Sequence, residues 1–551
     1  MQKYGELLRM LLEKRGIIDE KQSDIFLNPN YERDMHDPFL MRDMERACVR
    51  LFTAIENKEK IVIYSDYDCD GIPGAVIMQD LLKLVGYKNY EVYIPQRNSE
   101  GYGLNMEAIE QFAKVNVKLL ITIDLGITAI AEVAQAEVDG IDVIITDHHI
   151  PHAELPRSYS ILNPKVDNYP EKMLCGAGVV FKFAQGFLKK YGEFYKVRAG
   201  AEKWMLDMAG LATLSDMVPL VGENRVIAYY GMKVLRKSPR PGLQKLLAQM
   251  KIEQKFLSED DIGFMITPRL NAASRMDDPM RAFELLSTDD VVQAGMLASH
   301  LTKINDERKT IVTSIMRTVN KKLDAYAHKE VIVIGDPSWR VGILGLVAGK
   351  VSDQYKKPVF VWGKDENDCI KGSCRSDGSV SVVELMTETK DYFLEFGGHE
   401  LAGGFTVHND KIHFLEDALS TTFNKIKKLI RGDEEETNYD VKSSLDLINM
   451  KNWKEVEKLA PFGFGNLKPI LCFSNIKIEK IKKFGKNGSG EHLEIIFSDS
   501  TGRAKAISFF SGLDSFAKTL VEGLNVDLLA TFDLSRFRGK EELRLRIEDI
   551  L

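Results

Sequence analysis

The sequence predicts an α/β protein in which a parallel-sheet unit and a second α/β unit, joined by a long helix, precede a small β-barrel. Three observations predict it. Short β-branched runs alternate with amphipathic helical stretches from residue 60 onward, a charged, apolar-poor break falls at 431–440, and five strand-like runs crowd into 441–551. Strand and helix periodicities differ enough to be told apart, and strand–helix–strand repetition implies a mostly parallel sheet.

Residues 1–45, opening "MQKYGELLRMLLEKRG", form a charged amphipathic lead without the apolar core and cleavage site of a secretory signal. In 46–285, "KIVIYSD", "YEVYIPQR", "KLLITIDLG" and "IDVIITDHH" read as strands, with "AVIMQDLLKLVG" and "NMEAIEQFAKV" as helices between them. Residues 286–328 are polar and helix-biased. They connect to the unit at 329–431, which begins "KEVIVIGDP", continues through "GILGLVAGKVSDQYKKPVFVWG" and closes on "KIHFLEDALSTTFNKIKKLI". The break "RGDEEETNYD" reads as a linker. Beyond it "PILCFSNIKIEKI", "EHLEIIFSD", "RAKAISFF", "NVDLLATFDLS" and "ELRLRIEDI" are separated by Gly-, Asn- and Ser-containing turns, the spacing of a five-stranded barrel such as an OB-fold.

At 551 residues, 44% hydrophobic and 28% charged, the chain has an ordinary folded composition and room for roughly three or four cores. No apolar run reaches the roughly 18 residues of a membrane helix, so the chain reads as cytoplasmic, with no membrane partner. The six cysteines form no CxxC pair, which predicts free thiols rather than a zinc ribbon or disulfide framework. A net charge of −7 argues against wholesale polyanion binding, because non-specific nucleic-acid affinity comes from Lys and Arg neutralising phosphates. It is compatible with a local basic track, the more so if some acids surround cations.

The acids are not scattered. Asp66, Asp68 and Asp70 follow the first strand, Asp124 ends the third, Asp147, His148 and His149 end the fourth, and Asp216 lies in the apolar "LATLSDMVPL". In an open parallel sheet, functional groups collect beyond the carboxyl ends of the strands. So many like charges at one edge raise one another's pKa and repel unless cations are present. Oxygen ligands with a minority of imidazole suit Mn2+ or Mg2+, and two ions roughly 3.5–4 Å apart would serve in-line phosphoryl displacement. Taken singly, each motif has a plainer reading: a DxD is a solvated turn, and "DHH" a capping Asp before two satisfied histidines. Their convergence on one sheet edge favours the metal site. His152, past Pro151, reads as a surface residue.

"DYDCDG", "IDLG", "TDHH" and "SDMVPL", in that order, resemble the four motifs of the DHH phosphoesterase superfamily, and "GGHELAGGF" at 397–405 resembles the signature of its companion DHHA1 domain. "YIPQRNSEGYGLN", "LCGAGVVFKFAQ", "ITPRLNAASRMDDPMRAFELLS", "GSCRS" and "LAPFGFGNLKP" are similar to segments of the RecJ family of single-strand-specific DNA exonucleases, a likeness running from about residue 40 to 551. There are two departures: Trp339-Arg340-Val341-Gly342 stands where the family has Trp-His-x-Gly, and Gly465-Asn466-Leu467 where it has Gly-Asn-Pro. Arg340 retains the capacity to hold a phosphate.

The resemblance implies a metal-dependent exonuclease that degrades single-stranded DNA 5′-to-3′ to 5′-mononucleotides by two-metal phosphodiester hydrolysis, in DNA repair and recombination. It implies that Asp66, Asp68, Asp70, Asp124, His148, His149 and Asp216 hold two Mn2+ or Mg2+ ions, with direct ligation expected of Asp68, Asp70, Asp124, His148 and Asp216. Asp66 and His149 stand as ligands or just behind them, and Asp147 orients a histidine. Arg97, Arg275, Ser373 and Arg375 are expected to form a 5′-phosphate pocket, since a guanidinium fork matches phosphate oxygens; the alternative is an ordinary interdomain salt-bridge set. Arg269 also falls in a family motif. His399, between Gly397-Gly398 and Gly403-Gly404, is expected to contact phosphate. The lysine-rich "KIEKIKKFGKNG" suits either a strand-binding loop or a solvated one. Single-stranded DNA is the implied partner, with a single-strand-binding protein and a helicase as family expectations. A catalytically silent scaffold of the same fold, which would have lost acids present here, and an enzyme of short RNA or cyclic dinucleotides are the competing readings.

Overall fold

The computed structural model describes residues 3–97, 100–166, 168–323, 329–426, 439–485, 492–509, 511–536 and 540–551. The β-branched runs after residue 60 become Lys60–Ser65 (β1), Tyr90–Tyr93 (β2), Val117–Ile123 (β3), Asp142–Thr146 (β4) and Ser160–Leu162 (β5). They pair in the order β2-β1-β3-β4-β5, every pair parallel. β1, β3 and β4 are buried almost throughout rather than on alternate residues, as expected of strands in a parallel sheet covered on both faces. The chain moves from β1 outward to β2 and then returns to the other side of β1 for β3. Neighbouring loops therefore diverge beyond the ends of β1 and β3, opening the crevice in which such sheets hold ligands.

The same unit, Asp37–Asp216 with Tyr230–Asp433, contains the second sheet. Between the two sheets runs the helix Val291–Leu323. It buries Ala294, Leu297, Ala298, Leu301 and Ile304, the i, i+3, i+4 stripe of an amphipathic helix. Ile332–Gly335 (β6), Val359–Lys364 (β7), Ile370–Arg375 (β8), Phe393–His399 (β9) and Ala402–Val407 (β10) follow. Their order is β6-β7-β8-β10-β9, with only the β6/β7 pair parallel. The stretch "GGHELAGGF" is an antiparallel hairpin of β9 and β10 turning at Glu400-Leu401.

The other unit gathers Met1–His36, Met217–Tyr229 and Glu434–Leu551. Its strands are Val441–Lys442 (β11), Leu471–Phe484 (β12), His492–Ser498 (β13), Arg503–Phe509 (β14), Asn525–Ser535 (β15) and Glu542–Ile550 (β16). β12 pairs with both β13 and β15, and β14 with β16, which closes β12 to β16 into the expected barrel with β11 alongside. The N-terminal helix Glu6–Lys14 buries Leu7, Leu8, Leu11 and Leu12 in the same core as Phe473, Ile478, Phe497 and Leu528. Side chains fasten these distant segments. Arg15 Nε donates to Asn466 Oδ1 (3.1 Å), Asn466 Nδ2 donates to the carbonyls of Leu459 and Pro461 (both 2.9 Å), and the Arg225 guanidinium lies 3.8 Å from the centre of the Phe26 ring while donating to the Ala460 carbonyl.

The lysine run is a strand over most of its length: Lys477, Lys480, Lys482 and Lys483 lie on β12, because Ile476, Ile478 and Ile481 turn inward between them. Lys486 and the rest of that stretch, like 431–438 of the expected linker, lie outside the described residues. All six cysteines are free. Among the described residues no helix is long and apolar enough to cross a membrane.

Because the N-terminal helix completes the barrel core, Leu11→Ala should destabilise the barrel by about 2–5 kcal/mol, the usual cost of emptying a buried leucine site. Faster hydrogen exchange at the amides of β12 and β15 would report it, and unchanged exchange there would show that the helix is not part of the barrel's folding unit.

Candidate metal centre and its cleft

The acids of the sequence motifs are delivered to the crevice above β1 and β3 by four segments: the turn after β1, the ends of β3 and β4, and the end of helix Leu206–Ser215. The turn after β1 is tied by Asp68, whose Oδ1 accepts from the amides of Asp70 (2.8 Å) and Gly71 (3.2 Å). Helix Gly71–Leu84 then begins at once. A Cβ on Gly71 would lie 2.5 Å from the Asp66 carbonyl, so the turn admits no side chain there. Asp70 is gripped by the amides of Gly176 (2.5 Å) and Ala177 (2.7 Å) at the start of helix Gly176–Tyr191, where amide groups and the helix dipole favour an anion. Asp124 ends β3 at φ 61°, a left-handed backbone that non-glycine residues rarely adopt. It leaves no room for a side chain on Gly176, whose Cβ would sit 2.6 Å from that of Asp124. Asp216 caps the C-terminus of helix Leu206–Ser215.

The imidazoles complete the set. His148 Nε2 lies 3.2 Å from Asp124 Oδ1, 3.7 Å from Asp70 Oδ2 and 3.9 Å from Asp216 Oδ2. Asp147 Oδ1 meets His149 Nδ1 at 2.8 Å and accepts from the amides of both histidines, while its Oδ2 accepts from Ile127. An ionised carboxylate only accepts, so His149 Nδ1 carries a proton and, in the neutral ring, Nε2 keeps its lone pair. Three overlapping groups bring one donor atom per residue within 4.8 Å of one another: Asp124–His148–His149, Asp70–His148–Asp216 and Asp66–Asp68–Asp124.

The electrostatics are those of crowded, buried carboxylates. Burial and then Asp68 push Asp66 well above the carboxylate range and Asp70 up to about 6. Burial and then Asp70 raise Asp124 well above its usual range and Asp216 to about 9. Burial, assisted by His149, holds His148 down to about 3, which leaves it a neutral imidazole at neutral pH. Asp147 is the exception: burial works against it, but hydrogen bonds from His149 and Ile127 hold it low. Asp66 Oδ1 and Asp124 Oδ1 are buried with no hydrogen-bond partner among the described residues. Orphaned carboxyl oxygens beside neutral imidazole fit hard divalent ions such as Mn2+ and Mg2+.

A cleft of about 1050 Å³ opens between the two sheets of this unit, lined by Arg97, Tyr102 and His149 on one side and Ser373, Gly397, Gly398 and His399 on the other. Strand register builds the second wall: Ser373 pairs with Gly404, Arg375 with Ala402, and Gly398 with Gly403. Arg97 packs its guanidinium 5.3 Å from the Tyr67 ring centre. Arg275 Nη1 donates to the Gly342 carbonyl (3.2 Å) and Arg375 Nη1 to that of Cys374 (2.8 Å). Burial first, then repulsion from Arg97, Arg308 and Arg375, lowers Arg275 to about 10. Among the described residues none of these three guanidiniums forms a salt bridge with a carboxylate, and Arg275 is repelled by the other two.

Not every expected residue joins them. Arg269 is buried in helix Thr267–Met276, donating to the Met265 carbonyl. Arg340 lines a separate cavity with Met276, Thr302 and Asp306. His152 is exposed, at the cleft rim. Sequence reasoning passed over Tyr102, half-exposed in the cleft with its hydroxyl 3.5 Å from His149 Nε2, and Lys165, which donates to the His148 carbonyl. An aromatic in a Gly-rich loop was the only available signal for the first; nothing marked the second.

Fold and site together define a phosphoesterase of the DHH type. The DHH family N-terminal domain matches residues 60–213, the DHHA1 domain 297–431 and the RecJ OB domain 439–549. The chain is 32% identical to the single-stranded-DNA-specific exonuclease RecJ of Bacillus subtilis over 98% of its own length and 67% of that protein, and 31% identical to RecJ of Dickeya dadantii over 99% and 96%. The crystal structure of Thermus thermophilus RecJ in complex with Mn2+ superposes with a TM-score of 0.82 at 24% identity, covering all of this chain and 76% of the other. This chain belongs to the RecJ family.

In metal-free protein the raised carboxylates keep protons that the unfolded chain has released. Each therefore contributes stability that is lost as pH climbs from 3.8 to the folded value, about 6 for Asp70 and about 9 for Asp216. His149, also raised, loses its contribution as pH rises, whereas that of His148 grows between about 3 and 6.5. The carboxylates outnumber the opposing imidazole, so in EDTA the melting temperature should be lower at about pH 8.5 than at about pH 5.5, and the increase on adding Mn2+ should be larger at the higher pH. Thermal unfolding under the four conditions checks this; a Mn2+ effect independent of pH would exclude carboxylate crowding as its origin.

Proposed function

We infer that this chain is a metal-dependent exonuclease that degrades single-stranded DNA from its 5′ end to 5′-mononucleotides, in DNA repair and recombination. One observation carries the reading: the overlapping acid–imidazole groups open into a cleft whose other wall offers a hydroxyl, an imidazole and side-chain-free glycines, with unpaired guanidiniums beside it. Asp66, Asp68, Asp70, Asp124, His148, His149 and Asp216 would hold two ions, Mn2+ or Mg2+, which when bound would supply an activated water and neutralise charge on the phosphoryl oxygens. The chain's own groups do the rest. Arg97, Arg275, Ser373 and Arg375 receive the terminal 5′-phosphate and set polarity. His399 and the flanking glycines let the backbone of the strand lie close against β9 and β10. Asp147 fixes the ring and tautomer of His149.

Hydrolysis adds hydroxide to the second phosphorus and breaks its bond to the 3′ oxygen, which takes the proton. The products are a 5′-mononucleotide and a strand with a new 5′-phosphate. Partnership with a single-strand-binding protein and a helicase, and a cytoplasmic location, extend this reading on family membership alone.

Asp68→Asn keeps an oxygen to accept the turn amides while removing the charge, so it and His148→Ala should abolish Mn2+-dependent hydrolysis without unfolding the chain. Product analysis on 5′-labelled DNA, RNA and dinucleotides checks both the loss and the substrate; substantial activity in well-folded Asp68→Asn protein would sink the two-ion assignment.

Arg375→Ala should remove about 1.5–3 kcal/mol of charge-assisted contact, roughly ten- to a hundredfold in use of 5′-phosphorylated ends. Strands starting with a 5′-hydroxyl should suffer less in their first cleavage. Equal losses on the two kinds of end would show that Arg375 does not read the phosphate.

A further inference from the structure

Arg240 lies outside every motif discussed above, yet its guanidinium is engaged on every edge. Nε donates to Asp207 Oδ2 (2.7 Å), Nη2 to Asp80 Oδ2 (2.5 Å) and Asp207 Oδ1 (3.2 Å), and Nη1 to the Leu286 carbonyl (3.3 Å). Ser238 Oγ donates to the same Asp207 Oδ2 (2.7 Å). Asp207 is buried and Arg240 nearly so. A buried ion group of this kind is a weak source of net stability. What it does provide is a fixed geometry, because the planar fork dictates where each partner stands.

Those partners lie on the elements that carry the metal centre. Asp80 is on helix Gly71–Leu84, which starts directly after Asp70, and Asp207 opens helix Leu206–Ser215, which ends at Asp216. At 1.5 Å per residue, Asp80 is about 15 Å along its helix from Asp70, and Asp207 about 14 Å from Asp216. The helices therefore run antiparallel, with Asp70 and Asp216 meeting at one end in the group shared with His148 and the Arg240 clamp at the other. The two helices pack against each other along their length, but near the metal end the described side-chain hydrogen bond between their segments is the weak one from Cys69 Sγ to Ser215 Oγ (3.4 Å). Leu286 brings in helix Met280–Ser287, the one that follows the helix of Arg275.

Resting on the metal-centre reading above, we infer that Arg240 is a positioning residue: by clamping the remote ends of these two helices it sets the spacing of Asp70 and Asp216, and through it the affinity of the site for divalent metal.

Direct Mn2+ titration of the full chain, following free Mn2+ by electron paramagnetic resonance, tests this without relying on activity. Arg240→Lys keeps a positive charge but not the fork, and should weaken Mn2+ binding about tenfold, the scale seen when the supports of metal ligands are removed. Asp80→Asn keeps the volume of the carboxylate and should weaken it in the same direction. Leu419→Ala, in the core of the second sheet, lowers stability away from the clamp and should leave Mn2+ affinity in place. Wild-type affinity in both Arg240→Lys and Asp80→Asn would overturn the inference, as would an equal loss in Leu419→Ala, which would reduce the effect to general destabilisation. If Arg240→Lys does not fold, Asp80→Asn decides alone. Failure of the unaltered chain to bind Mn2+ would overturn the metal-centre reading, and this inference with it.

Discussion

The crowding of carboxylates beyond β1 and β3 is the constraint on which the rest of this unit depends. Asp66, Asp68, Asp70, Asp124 and Asp216 stand where each raises the cost of ionising the next, so the surroundings must hold them against their own repulsion. The chain does this with directed groups rather than neutralising side chains: helix amides for Asp70, turn amides for Asp68, and a left-handed backbone that aims Asp124 into the cluster. Strain and unsatisfied charge are placed where cations relieve them, a common economy of functional sites.

Beside the acids the sign reverses. Arg97, Arg275 and Arg375 repel one another as the acids do, and burial adds to the cost of charge on Arg275 and Arg375. The two sets feel each other only in part, Arg97 lowering Asp66 and Asp68 raising Arg275. On the reading proposed above, a phosphorylated strand lying with metal ions in the cleft would answer both.

Much of this was legible in the chain. Alternate aspartates after a β-branched run, and acids or imidazoles closing the next two good strands, place a charged cluster at one sheet edge by the rules of parallel sheets alone. The barrel was legible in its alternating strands, and its weakest point was the lysine run, where periodicity in Ile476, Ile478 and Ile481 outweighed the suggestion of a loop. The partner of the N-terminal helix was not legible, because an amphipathic face states that something covers it and not what; here the cover is a barrel more than 400 residues away, as the Arg15–Asn466 bond shows with its separation of 451. Arg240 was beyond reach for a similar reason. Its partners Asp207 and Asp80 lie 33 and 160 residues off, at no spacing that a sequence pattern records.

The arginine pocket proposed above would have a consequence for the time course of the reaction. Cutting on the 3′ side of each nucleotide leaves a phosphate on the next one, so with the arginines in that role every turnover would manufacture the group that the pocket selects. A strand that begins with a bare hydroxyl is then handicapped only once. Its degradation would begin with a lag and proceed at the ordinary pace, and the pocket would govern initiation far more than the speed of a digestion already under way.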